Sequence, residues 1–359
     1  MNDTQVKKNS PVLNFLKRLK NARETSLVLI IVVMCIVLSI TNPYFAKWAN
    51  IQTLLGSIAI NGIMTIGMII VMISGGLDLS IGAVMCMSMA FSAKAITAGV
   101  SPVLAILIGL VAAAVCGFVI GFIVTKLDLS HFIVTLCFMG IARGVVYAMT
   151  SGISISLVSN LKEMPILSFI GSGYIGGYVP MSFVIFLALA IAADLYARKS
   201  SGMRKVYYTG SNEMAAKHSG IKIDRVKVLA CVACSVLAGV ASVIYMSKYS
   251  GVSVSAGEGA EMTALSAAVI GGVSMNGGKG TVAGGLLGLL FIVLIQDAMN
   301  LFSVQAFWQD LIRYIIVLLA VILTIIVISR LKNSRVGLAL QALREDEIAC
   351  EAMGIDLAR

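Results

Sequence analysis

The sequence has few charged residues. Asp, Glu, Lys and Arg make up 12% of its 359 residues, against about 25% in soluble domains. A water-exposed surface needs more charge than this, so the composition excludes an ordinary soluble protein. The hydrophobic share of 59% and the mean hydropathy of +0.98 indicate that lipid is the solvent. Proline is scarce too, with 5 residues beside 34 glycines, and this composition is neither collagen-like nor disordered.

Histidine is almost absent: the chain has two, and neither stands at metal-ligand spacing with carboxylates or cysteines. Six of the seven cysteines lie inside apolar runs. Cys231 and Cys234 form a CxxC pair without a histidine or a second pair, so we expect buried apolar thiols rather than zinc or redox chemistry. No catalytic triad is recognisable. The sequence predicts a protein that is not an enzyme and has no metal or cofactor of its own.

A glycine-rich run at residues 271–281 suggests a phosphate-binding loop, but the spacing is wrong. A P-loop requires Gly, four residues and then Gly-Lys-Ser/Thr. Here Lys279 is followed by Gly280, and no strand precedes the run. We therefore expect tight turns and close packing around a short membrane segment instead of nucleotide binding.

Long apolar runs dominate the chain. A helix needs about 20 apolar residues to cross a bilayer, and the runs predict an all-α, polytopic membrane helix bundle of about ten segments. The segments are residues 26–40, 51–74, 81–98, 102–125, 132–150, 178–196, 228–247, 262–273, 281–299 and 307–328. The eighth is too short to span comfortably and suggests a half-helix or re-entrant segment, which is tolerated only inside protein.

The net charge of +10 is carried by basic residues at segment ends and in polar loops, without the interleaved aromatics of a nucleic-acid site. Six Lys and Arg lie in the arm at residues 1–25, eight at 198–227 and five from residue 330 onward. If ten spans cross the membrane in alternating directions, these three groups of basic residues lie on the same side of it. The positive-inside rule then predicts a multi-pass protein of a prokaryotic inner membrane, with both termini cytoplasmic and no nucleic-acid partner. The first span is expected to be a retained signal anchor.

The segment at residues 197–227, which we call the basic loop, is the only long, polar and strongly basic stretch between two spans. Glu213-Met214-Ala215-Ala216 followed by Gly220 predicts a short helix with a glycine stop. The pattern resembles the coupling loop of ABC-transporter permeases, which docks into a groove on the ATPase subunit. An ordinary cytoplasmic loop helix accounts for it equally well. The candidate coupling residues are Gly210, Asn212, Glu213, Ala215, Ala216 and Gly220.

Polar residues that interrupt the apolar runs are a second group of candidates. Asp78 follows two glycines at a break between spans, where an acid either marks a functional site or caps the next helix. Asn61, Thr135 and Arg143 lie within or beside predicted spans. Snorkelling or capping is the default interpretation for most such residues.

Six strings taken together resemble the permease subunits of ribose-type, simple-sugar ABC importers. They are GMIIVMISGGLDLSIG at 67–82, HFIVTL at 131–136, GIARG at 140–144, GEGAE at 257–261, VIGGVS at 269–274 and GGKGTVAG at 277–284. Each string alone is a weak signal, but their order and spacing also match. The resemblance covers about residues 26–328, which is the predicted transmembrane permease domain.

This resemblance implies a translocation path and a set of partners. The partners are a second permease copy or paralogue, two ATP-binding subunits that bind the ATP, and a periplasmic or lipid-anchored sugar-binding protein; membrane lipid surrounds the assembly. The strings near Asp78, Phe132 and Glu258 are implied to lie near the path or its gates. With the polar residues of the spans, the candidates for the path or gates are Asn61, Asp78, Phe132, Thr135, Arg143, Glu258 and Glu261.

The tail at residues 329–359 departs from the ribose-type pattern and resembles the coupling loop of branched-chain amino-acid ABC permeases. Residues 346–359 also repeat residues 212–225 with five identities. Because such a loop normally leads into another span, a fused or truncated permease is favoured over a natural tail that provides a second contact. A free mixed-charge helix is a further alternative, since its apolar positions form no clean stripe.

Two other transporter classes compete with sugar import. Branched-chain amino-acid import by the same ABC machinery rests on the tail alone. A secondary transporter would be expected to show inverted repeats and midplane ion sites, and no clear inverted repeat is recognisable. Association with an ATPase separates both ABC interpretations from a secondary transporter, and the transported substrate separates sugar from amino acid.

Overall fold

A computed structural model describes residues 23–305 and, beyond them, residues 307–309, 311–312, 314–315, 318–319, 322 and 330. The predictions for the N-terminal arm and for the tail therefore fall almost entirely outside the described residues. The chain divides into two units, Met1–Leu301 and Phe302–Arg359. In the second unit, the described residues from 307 onward are helical.

The described part of the first unit is built almost entirely from α-helices. In chain order they are α1 Arg23–Thr41, α2 Trp48–Ile73, α3 Ile81–Thr97, α4 Pro102–Lys126, α5 His131–Thr150, α6 Val158–Lys162, α7 Pro165–Ser172, α8 Met181–Lys199, α9 Ser201–Ser211, α10 Glu213–His218, α11 Ile223–Lys248, α12 Ala260–Ile270 and α13 Val282–Leu301. Two antiparallel strand pairs accompany them: β1 Ile155–Ser156 with β4 Gly251–Val252, and β2 Tyr174–Ile175 with β3 Val179–Pro180.

The helices confirm a polytopic helical bundle but not the count of about ten spans. Nine of the ten predicted segments coincide with described helices, and the tenth falls mostly on residues that are not described. Among the helices that the structure describes, six are long and apolar enough to cross a membrane: α2, α4, α5, α8, α11 and α13. The apolar parts of α1, α3 and α12 are shorter. For α3 and α12 the physical reason is a non-helical stretch just before each helix, at residues 74–80 and 253–259.

Close packing of small residues holds the bundle together. α2 is buried along most of its length and packs against α11, α12 and α13. A methyl group on Gly109 of α4 would come within 3.0 Å of the Ser88 carbonyl oxygen on α3, and one on Gly117 would meet the Cys231 carbonyl oxygen on α11. In lipid there is no hydrophobic driving force between helices. Van der Waals contact between closely approaching backbones is therefore a main source of helix association.

The sequence did not reveal the short elements at residues 155–180, where α6, α7 and the β2–β3 hairpin connect α5 to α8. The prediction of buried thiols is partly wrong. Cys86, Cys231 and Cys234 are buried, but Cys35 and Cys116 are half-buried and Cys137 is exposed. Among the described residues, no group of His, Cys, Asp and Glu is arranged to hold a metal ion.

Candidate functional site

Two turns and the end of α9, all distant in sequence, meet at one point, which we call the glycine junction: Gly75, Gly210, Gly277 and Gly278. The Gly278 N–H donates a hydrogen bond to the Ile73 carbonyl at 2.9 Å. A methyl group on Gly210 would lie well within 3.0 Å of that same carbonyl oxygen and of the Gly278 nitrogen. The end of α9 therefore lies directly against the α2–α3 and α12–α13 turns, and only glycine fits at the point of approach.

Tyr207 ties α9 to the glycine junction. Its hydroxyl donates a hydrogen bond to the Gly280 carbonyl at 2.8 Å. Burial, reinforced by the nearby Asp194 carboxylate, raises the pKa of Tyr207 above its ordinary value. The hydroxyl thus keeps its proton and remains a donor at neutral pH.

α10 is a short helix that projects from the basic loop. Asn212 caps it, its side-chain oxygen accepting from the Ala215 N–H at 3.0 Å. Gly220, at φ +78°, terminates the helix in the left-handed region, as predicted. Ala216 is buried beneath the helix, whereas Ala215 is exposed and Met214 is 74% exposed. The helix therefore presents one small and one large apolar side chain to its surroundings.

Glu213 anchors α10 to the bundle by an ion pair with Lys227 at the start of α11. Both side chains line a cavity of about 390 Å³ that also contacts Gly76, His131 and Phe132. The His131 ring lies against Gly76, so close that a methyl group there would not fit. The cavity places the first turn of α5 beside both α10 and the glycine junction.

Asp78 lies in the non-helical stretch between α2 and α3 and is 1% exposed. Its Oδ1 accepts from the Ser80 N–H at 2.9 Å and from the Ser80 hydroxyl at 2.6 Å. The Cys234 thiol of α11 lies beside the carboxyl group. The neighbouring Leu77 carbonyl accepts a hydrogen bond from Thr135 of α5 at 3.3 Å. Asp78 therefore closes a turn onto Ser80 just before α3, but it does not cap the helix, whose N-cap Ser80 has no side-chain cap hydrogen bond. The acid is deeply enclosed, and its functional role stays a prediction.

The N-terminal ends of α3 and α12 meet at a second site. A methyl group on Gly82 would fall within 3.0 Å of the Gly257 carbonyl oxygen, so the two backbones touch. Gly259 caps α12 at φ +75°, a conformation that favours glycine. Two helix N-termini converge here, and each carries a partial positive charge.

Charged side chains surround this convergence and form the charged cluster: Arg143, Glu258 and Glu261. Arg143 of α5 donates a hydrogen bond to the Val254 carbonyl at 3.0 Å. The Glu261 carboxylate accepts a backbone hydrogen bond from Gly259 and lies within electrostatic reach of both Arg143 and Glu258. Arg143 is half-buried and Glu258 is exposed.

The charged cluster lies deep along the spans. Arg143 is 12 residues after His131, the first residue of α5, which corresponds to about 18 Å at 1.5 Å per residue. α12 has 11 residues and runs from the cluster toward the glycine junction. Half of a hydrocarbon core is about 15 Å. Charged side chains at such depth normally face protein or a water-filled cavity rather than lipid chains, so these residues remain candidates for the path or its gates.

The structure brings most of the predicted residues into two groups and leaves Asn61 aside. Phe132 is 49% exposed at the mouth of the cavity near the glycine junction. Asn61, midway along α2, donates to the Ser57 carbonyl of its own helix at 3.1 Å. Sequence reasoning did not single out Tyr207, Lys227 or Gly82 as site residues. Lys227 was visible as part of the basic loop and Gly82 as the end of the string at 67–82, whereas Tyr207 gave no signal.

A family described as the permease component of the branched-chain amino acid transport system matches residues 50–321 and, a second time, residues 315–359. The chain belongs to this permease family. The second match covers the tail that resembles a coupling loop.

Relatives within this permease family share most of the chain. It is 37% identical over 291 residues to "Ribose import permease protein RbsC" of Bacillus subtilis (strain 168), which covers 81% of this chain and 89% of the relative. It is 31% identical over 299 residues to the protein of the same name from Escherichia coli (strain K12), covering 83% and 92%. It is 32% identical over 303 residues to "L-arabinose ABC transporter permease protein AraH" of Azospirillum brasilense, covering 83% and 86%. No solved structure matches the chain. The resemblance to ribose-type permeases is confirmed.

Proposed function

We propose that this chain is the membrane-spanning permease subunit of an ATP-driven ABC importer for a simple sugar. The observation that carries the proposal is the 37% identity to a ribose import permease across 89% of that relative's length. The relatives' names refer to ribose and L-arabinose, so a pentose or a similar small sugar is the expected substrate class. ATP is bound and hydrolysed by separate partner subunits.

The orientation follows from the basic residues on the side of the glycine junction. The basic loop lies on that side, together with the ends of α2 and α8 and the start of α11. We place this side in the cytoplasm of a prokaryote, facing the ATPase, and expect both chain termini there. The inner-membrane location and a sugar-binding protein on the opposite side belong to the same proposal.

The mechanism assigns α10 to the ATPase and the charged cluster to the sugar path. Closure of two ATPase subunits moves α10. That motion passes through α9 and the glycine junction to the turns that begin α3 and end α12. Because the N-terminal ends of α3 and α12 meet at Gly82 and Gly257, the same motion reaches the charged cluster. Two packings of this helix set, biased by ATP, would alternate access.

A second permease, identical or a paralogue, completes the path. Glu258 is exposed and Arg143 half-buried at membrane depth in the single chain. Charges at such depth require protein or water beside them. A facing copy supplies both, with the sugar passing between the two clusters.

Branched-chain amino-acid import is the alternative that a specific observation favours. The second family match at residues 315–359 coincides with the tail that resembles the coupling loop of amino-acid permeases. A second ATPase contact through this tail belongs to the same alternative. Uptake of labelled leucine, measured beside uptake of labelled ribose, separates the two substrates.

Docking of the ATPase on α10 is tested with Ala215→Arg, because Ala215 is exposed and leaves the Glu213–Lys227 pair intact. We expect the affinity for the ATPase subunit, measured by pull-down from detergent, to fall at least about 10-fold, as for a central interface position. Ser201→Arg is the matched control, an exposed small residue on α9 in the same loop. Equal binding by wild type and Ala215→Arg would place the ATPase contact elsewhere, such as the tail.

A further inference from the structure

An open groove of about 960 Å³ lies beside α10. It is framed by the end of α4 and the start of α11, which are joined by the Lys126–Asp224 ion pair at 2.8 Å. Because two membrane-crossing helices end here, the groove lies at one boundary of the membrane. It is on the same side as the basic loop.

The polar end of the groove is rich in cations. Its charged residues are Lys126, Asp128, Glu213, Lys217, Lys222, Asp224, Arg225 and Lys227. Two of the cations are already neutralised, Lys126 by Asp224 and Lys227 by Glu213. Within the described part of the chain, Lys217, Lys222 and Arg225 form no ion pair. Three cations therefore outnumber the single remaining acid, Asp128.

The other end of the groove is apolar. Phe118 and Phe122 of α4 stack at a centroid distance of 6.1 Å and are both about half exposed. They lie eight and four residues before the end of α4, or about 12 Å and 6 Å into the membrane. Leu229 of α11 faces the same groove and is 66% exposed. Along the groove, cationic side chains at the membrane boundary are thus followed directly by aromatic and aliphatic side chains at hydrocarbon depth.

We propose that this groove binds an anionic phospholipid. Its phosphate lies among Lys217, Lys222 and Arg225, and an acyl chain lies along Phe118, Phe122 and Leu229. A soluble anion would leave the apolar wall uncovered, and a neutral lipid would leave the three cations without a counter-charge. Anionic lipids of the cytoplasmic leaflet carry both features in one molecule.

The lipid also bears on the mobility of α10. Lys217 belongs to α10, whereas Phe118 and Leu229 belong to the spans α4 and α11. One bound molecule therefore bridges the projecting helix and the bundle. The binding site itself does not depend on the proposed transport function, and its test needs neither ATPase nor sugar.

The test measures phosphatidylglycerol binding to the purified full chain in detergent by native mass spectrometry, titrated beside phosphatidylcholine. The groove variant is the triple change Lys217→Gln, Lys222→Gln, Arg225→Gln. The matched control removes the same charge from the same loop outside the groove: Lys199→Gln, Arg204→Gln, Lys205→Gln. We expect the dissociation constant of the tightest phosphatidylglycerol to rise on the order of 100-fold in the groove variant and to stay within about 2-fold in the control. Phosphatidylcholine should bind weakly to all three proteins.

A second variant, Phe122→Gln, tests the apolar wall with the cations in place. We expect it to weaken the binding of phosphatidylglycerol about 10-fold. Equal binding by wild type and groove variant, or equal loss in the control, would overturn the proposal. Displacement by inorganic phosphate with no effect of Phe122→Gln would show a plain anion site instead. If the groove variant keeps phosphatidylglycerol but loses the ATPase subunit, the groove is a protein-docking surface and the lipid assignment is wrong.

Discussion

Gly210→Ala is expected to uncouple the permease. The new methyl group would lie well within 3.0 Å of the Ile73 carbonyl oxygen and the Gly278 nitrogen, both backbone atoms. Because neither atom can swing aside as a side-chain end would, α9 must move away or the Gly278–Ile73 hydrogen bond must break. Overpacking of this kind costs about 1–3 kcal/mol. We expect ATP-dependent sugar uptake in proteoliposomes to fall at least about 10-fold.

Gly202→Ala is the matched control for this prediction, because it adds the same methyl group to the same helix. That methyl would meet the end of the exposed Tyr196 side chain, which can move away, and the Ser200 hydroxyl oxygen at 3.2 Å. We expect its uptake to remain within about 2-fold of wild type. If Gly210→Ala transports as well as Gly202→Ala, the glycine junction does not transmit motion.

Arg143→Leu is expected to block transport without releasing the ATPase. The change removes the donor to the Val254 carbonyl and leaves Glu261 without the cation near it. A lost hydrogen bond to a charged group costs about 1.5–3 kcal/mol, and unpaired charge at membrane depth adds to that cost. We expect sugar uptake to fall at least about 10-fold, while ATPase binding stays within about 2-fold, since the cluster lies far from α10.

Two further variants separate charge compensation from general damage. Adding Glu261→Gln to Arg143→Leu removes the uncompensated carboxylate and should recover part of the uptake. Arg204→Leu removes an exposed arginine from α9, outside both sites, and should leave uptake unchanged. If Arg204→Leu lowers sugar uptake as much as Arg143→Leu does, the charged cluster has no specific role in transport.

The helices could be predicted from the sequence because apolar runs bounded by polar or glycine-rich breaks are local signals. The shortness of α12 and the glycine stop at Gly220 were visible for the same reason. The short elements at residues 155–180 were not, because runs of two to eight residues leave no periodic pattern. The number of crossings also could not be read, since a non-helical break inside an apolar run resembles a loop between two spans.

The convergence of the motifs could not be predicted at all. Gly75, Gly210 and Gly277 are separated by more than 60 residues each, and only the packed fold shows that they touch. Ala216 was among the predicted coupling residues, yet it is buried beneath α10. One residue of shift along a helix turns a side chain from the surface into the core.

The central claim is that this chain passes a simple sugar only when an ATPase moves α10. The most direct measurement is uptake of labelled ribose into proteoliposomes that contain the chain, a sugar-importer ATPase subunit and a ribose-binding protein, with and without ATP. We expect uptake that requires all three proteins and ATP, and that is lost in Gly210→Ala. Uptake by the chain alone, driven by an ion gradient, or ATP-dependent uptake of leucine in place of ribose, would contradict it.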